Sequence, residues 1–102
     1  MNLAEIAEQM RSDSERWFPH MHDGSGLPLD VFYSLGLSGE VGEVANLVKK
    51  LHRDGSTGNA EGIDAELADV LAYLFLLADF MGVDLEAAYQ SKRAINEERF
   101  GK

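Results

Sequence analysis

Apolar residues recur along this chain at the spacing of α-helices, and no stretch alternates as a strand does. Leu3, Ile6, Met10 and Trp17 mark a first helix, with Asn2 placed to cap it. The segment WFPHMHDGSGLP, residues 17–28, holds two prolines and two glycines and reads as a loop. A second helix is predicted from near Pro28–Asp30 to about His52, with Val41, Val44, Val48 and Leu51 among its apolar positions. Residues 54–62, DGSTGNAEG, form the next loop; Gly55 and Gly58 there match no phosphate-cradling glycine motif. A third helix is predicted over roughly Ile63–Met81. Gly82 suits its C-cap, and Asp84 suits the N-cap of a fourth helix over about Leu85–Arg99.

These elements predict an all-α, four-helix bundle-like domain spanning residues 1–102. Val70, Leu71, Leu74, Phe75, Leu76 and Leu77 spread apolar surface over most of the third helix, and such a helix must be covered all round. Four short helices from one chain can hardly do this, so the expected state is a homodimer or homotetramer.

Composition narrows the function classes. The chain has no cysteine, which removes disulfides, thiolate metal sites and thiol catalysis. Its formal net charge of −9 makes it a poor partner for nucleic acid. The longest uncharged apolar run, Val70–Ala78, is far shorter than the roughly 20 residues a membrane span needs. The start, MNLAEIAEQM, lacks a basic stretch followed by an apolar core. The expectation is a cytoplasmic protein without nucleic-acid or membrane partners.

The acidic residues carry the chemistry. Glu40 and Glu43 sit three apart on the second predicted helix, and Glu66 and Asp69 three apart on the third. At about 100° per residue, Glu40 projects within about 20° of Leu47 and Leu51, and Glu66 within about 20° of Tyr73 and Leu77. Each first acid therefore falls inside an apolar arc, and each second acid on its shoulder. ExxE and ExxD are common on solvated helices, and one such pair alone means little. Two pairs that both fall within apolar arcs would set like charges together at a helix interface. A hard cation resolves that conflict, and carboxylates without His or Cys suit Mg²⁺, with Mn²⁺ as the alternative.

The stretches LGLSGEVGEVANLVKKLHRDG and DAELADVLAYLFLLADFMGVDLEAAYQSKRAINEERFG resemble the MazG-like, all-α nucleoside triphosphate pyrophosphohydrolases, over roughly residues 28–100. That family's pattern is ExxE, a gap, then ExxD; here 22 residues separate Glu43 from Glu66. The resemblance implies Mg²⁺-dependent hydrolysis of a nucleoside or deoxynucleoside triphosphate to the monophosphate and pyrophosphate, in nucleotide-pool housekeeping. It implies that Glu40, Glu43, Glu66 and Asp69 hold the metal, with one glutamate as an alternative general base. It also implies phosphate contacts from the last helix, where Lys92, Asn96 and Arg99 share a face. A solvated face paired with Glu97 and Glu98 is the plainer reading of those residues. Lys50, with Lys49 and Arg53, lies within reach of phosphate by sequence, although basic residues are favoured at a helix C-terminus anyway.

Trp17, His20 and His22 resemble a base-contacting set in some family members; Trp17 stacks on a base or anchors a small core. His20, His22 and His52 lack metal-ligand spacing and read as loop or surface residues. Two further classes compete with the enzyme. One is a non-catalytic helical module that senses metal or nucleotide. The other is a di-iron bundle, which ranks last because no Glu has a His three residues later.

Overall fold

In the computed structural model, which describes residues 1–55 and 62–101, the chain forms α1 (Leu3–Trp17), a 3-10 turn (Pro19–Met21), α2 (Leu29–Arg53), α3 (Ile63–Phe80) and α4 (Leu85–Phe100). The fold is all-α, with no strand among the described residues. Of the loop predicted over 54–62, residues 56–61, Gly58 among them, lie outside the described residues.

The helix ends follow the chemistry of the capping residues. Asn2 accepts a hydrogen bond from the Glu5 amide at 2.9 Å, and the Glu5 carboxylate accepts one from the Asn2 amide, a reciprocal capping box. Asp84 caps α4 by accepting from the Ala87 amide. α3 stops at Phe80 because Gly82 enters the left-handed region at φ 70°. The Val83 amide then reaches back to the Ala78 carbonyl and the Gly82 amide to that of Asp79, the Schellman arrangement.

α3 lies between α1 and α2 and packs most extensively on α2. Among the described residues, only Tyr33, Phe75 and Ala78 are buried apolar ones. A salt bridge from Arg11 to Asp79, 3.1 Å long, joins α1 to α3 at the surface. α4 makes only marginal contact with the other helices, and every residue in it beyond Leu85 is exposed, including Tyr89, Ile95 and Phe100. Leu67, Leu71 and Leu74 form an exposed stripe on α3, and Val41 and Val48 lie exposed one helical repeat apart on α2. Among the described residues, no helix is long and apolar enough to cross a membrane.

One polar residue belongs to the core. Ser14 on α1 is buried, and its Oγ lies 3.0 Å from both the Tyr33 hydroxyl on α2 and His22 Nε2 in the connecting loop. A serine hydroxyl has one proton to donate and lone pairs to accept, so it satisfies both neighbours. Ser14 donates to one of the two and accepts from the other, according to the His22 tautomer. Ser14→Ala strands the buried Tyr33 hydroxyl, at a cost of about 1–3 kcal/mol. Thermal unfolding of Ser14→Ala should therefore show a melting temperature lower by about 4 °C or more. Adding Tyr33→Phe should recover part of the loss, since both partners are then apolar. Equal melting of Ser14→Ala and wild type would deny the node any role in stability.

Candidate metal and active site

The site begins with how α2 and α3 are aligned. Gly36 on α2 faces Tyr73 on α3, and one turn further along α2, Glu40 meets Glu66 and Asp69. Rising numbers on one helix match falling numbers on the other, so the two run antiparallel. Glu40 and Glu66 are half-buried and Asp69 is exposed. One carboxylate oxygen from each of the three lies within 4.8 Å of the others.

Crowding shows in the protonation of Glu40. Its carboxyl is held above the usual 4.5, first by a hydrogen bond with Glu66, then by burial and by the charges of Asp69, Glu66 and Glu43. Two carboxyl groups hydrogen-bond only if one keeps a proton. No cation is among the groups acting on Glu40. A divalent ion in that place would offset the mutual repulsion that raises Glu40. The donor set fits one: three carboxylates with no softer ligand suit Mg²⁺ or Mn²⁺.

Glu43 is set apart from its three expected partners. It is exposed and lies outside the group gathered within 4.8 Å, although its charge still acts on Glu40. Three residues along a helix rotate a side chain by about 60°, which carries Glu43 off the line facing α3. The expected burial is also only partial, because within one chain a single helix covers each apolar arc.

Next to the acids lies a cavity of about 230 Å³, whose walls include Asp69, Tyr73, Phe32, Phe18, Trp17 and Met10. Asp69 thus belongs both to the acidic group and to an aromatic pocket. Trp17 is 61% exposed, so it is the pocket's rim and not the core anchor that its size suggests. The Arg16 guanidinium lies 5.7 Å from the centre of its ring. The Tyr73 phenol is pushed up by burial first, then by Glu40 and Asp69, and so remains a protonated donor at neutral pH.

The other candidates lie elsewhere. Lys50 is exposed, and it follows Glu40 by ten residues, about 15 Å along the axis. Lys92 and Asn96 are exposed on α4, which stands clear of α2 and α3, so one chain does not bring them to the acids. Arg99 lies over the ring of Phe100. His22 is not a free loop residue, since it is tied to Ser14. Tyr73 is not among the site residues that the sequence predicts. Its position four residues after Asp69, on the same helix face, is the signal that places it at the site.

The family model of the MazG nucleotide pyrophosphohydrolase domain matches residues 32–99, a span that holds all four acids. The chain is 40% identical over 63 residues to the "Gene 37 protein" of Mycobacterium phage L5, a match covering 58% of this chain and 55% of that protein. The chain thus spans about half the length of that relative. No solved structure matches it.

The crowding of Glu40 has a measurable sign. Folding favours its protonated form, so its contribution is favourable at low pH and is lost as pH rises from 4.5 through its raised value. At pH 7 with chelator present, Glu40→Gln should therefore melt no lower than wild type. Mg²⁺ or Mn²⁺ should raise the wild-type melting temperature, as any ligand of the folded state does, and should leave Glu40→Gln and Asp69→Asn unmoved. The same metal-induced shift in all three proteins would remove these residues from the site.

Proposed function

Because the chain belongs to the MazG nucleotide pyrophosphohydrolase family, we propose that it hydrolyses a nucleoside or deoxynucleoside triphosphate to the monophosphate and pyrophosphate, with Mg²⁺ as the required ion. The observation that carries this reading is Asp69, shared between the acidic group and the aromatic pocket. A nucleotide has that same construction: a polyanion joined to an aromatic base.

In this reading the base enters the cavity between Trp17, Phe18 and Phe32, where any base finds stacking partners. The phosphates extend over Glu40, Glu66 and Asp69, which hold the cation. Once bound, the cation neutralises phosphate oxygens and makes water more acidic. Glu43, outside the trio, is the carboxylate free to take the water proton. A new P–O bond forms as the anhydride between the α and β phosphates breaks, and pyrophosphate leaves. A chain of net charge −9 repels a triphosphate, so cations must accompany the substrate.

The same proposal makes residues 1–102 one domain that works as a homodimer or homotetramer. The exposed Leu67, Leu71 and Leu74 stripe and the uncovered α4 are the surfaces such an assembly would bury. Lys92 and Asn96 then reach the phosphates of a neighbouring copy's site.

Incubation with a panel of common, deoxy and modified triphosphates and Mg²⁺ should yield a monophosphate and pyrophosphate. Glu66→Gln should lower turnover by about two orders of magnitude or more, while Lys92→Ala should mainly raise KM. Orthophosphate with a diphosphate product would mean another phosphohydrolase, and no turnover across the panel would favour the non-catalytic sensing module. Light scattering at micromolar concentration should show at least a dimer, and a monomer there would refute the assembly.

A further inference from the structure

α2 carries three glycines in its interior, Gly36, Gly39 and Gly42, and each weakens a helix relative to alanine. Only one of them has a steric reason to be there. A Cβ built on Gly39 or Gly42 meets nothing within 4 Å. A Cβ on Gly36 would collide with Cε1 of the Tyr73 ring, and would lie 2.6 Å from its Cδ1 and 2.7 Å from its Cζ. Carbon atoms rest about 3.5–4.0 Å apart, so the shortfall is roughly 1 Å. On one side the Tyr73 ring meets a neighbour from α2 itself. Phe32 stands against it edge-on, 6.2 Å between centroids, one turn before Gly36 on the same helix.

The stripe Phe32, Gly36, Glu40 on α2 thus lies against Glu66, Asp69, Tyr73 on α3. Tyr73 lies on the bare backbone one turn below the acids, where it acts as the spacer between the helices. We infer that Gly36 is a positioning residue: by letting the Tyr73 ring rest on α2, it holds the two helices close enough for Glu40 and Asp69 to share one small divalent cation. The inference rests on the cation site proposed above. Oxygens up to 4.8 Å apart would already have to draw in to meet Mg²⁺, whose ligands lie about 2.0–2.1 Å from it, so any added separation of the helices works against that ion. Opening the helices by roughly 1 Å takes the set out of Mg²⁺ range. Ca²⁺, with ligands at about 2.3–2.6 Å, tolerates the wider gap better.

The test is direct titration with Mn²⁺, counting free ion by paramagnetic resonance, with Mg²⁺ and Ca²⁺ as competitors. Gly36→Ala should raise the Mn²⁺ and Mg²⁺ dissociation constants at least tenfold and the Ca²⁺ constant less. Gly39→Ala should leave all three unchanged while raising the melting temperature of the metal-free protein. In a Tyr73→Ala background the spacer is gone, so Gly36→Ala should add no further loss. If Gly36→Ala does not fold, recovery of helical circular dichroism by Tyr73→Ala supports the clash, and failure to recover overturns it. A Mn²⁺ constant for Gly36→Ala within twofold of wild type overturns the inference and leaves the cation site standing. Absence of Mn²⁺ binding by the wild-type protein overturns both.

Discussion

Three carboxylates held together against their own repulsion are the constraint around which this chain is organised. The opposing force is apolar: α3 packs on α2, and the ring of Tyr73 lies on bare backbone at Gly36, beside the acids. The crowding raises the Glu40 carboxyl above its ordinary range, first through Glu66 and then through burial and the charges of Asp69, Glu66 and Glu43. The acids would weaken a protein that had no use for them. Their cost makes sense if an ion completes the fold of the α2–α3 pair and the same ion then meets the phosphates of a substrate.

Much of this was legible in the sequence because it depends on local rules. The helices appear where apolar spacing places them, and Asn2, Gly82 and Asp84 end them by chemistry that spans a few residues. The convergence of Glu40, Glu66 and Asp69 was legible too, since two amphipathic helices that pack by their apolar arcs bring anything lying in those arcs together. What failed depends on which surface covers which. Trp17 has the size of a core anchor, yet it stands 61% exposed at the edge of the pocket. Helical spacing puts Lys92 and Asn96 on one face but says nothing of the direction α4 takes. The Ser14 node joins positions 14, 22 and 33, and no periodicity links a serine, a loop histidine and a tyrosine at those separations.

The core of one chain is small for a protein of 102 residues. Small domains bury a low share of their surface even when well packed. Here the open surface includes the Leu67, Leu71 and Leu74 stripe on α3, Val41 and Val48 on α2, nearly all of α4, and Trp17 and Phe18 at the pocket.

The pocket rim has a different origin from the acids. Met10, Trp17 and Phe18 come from α1 and the turn that follows it, and all three precede the span that matches the family model. They hang on the rest of the molecule through Ser14 and the salt bridge at Arg11. An arrangement of this kind separates what is recognised from what is done to it. On the proposed reading, substitutions in the first eighteen residues would reshape the pocket rim, and with it any preference for a base, while Glu40, Glu66 and Asp69 on α2 and α3 stay as they are.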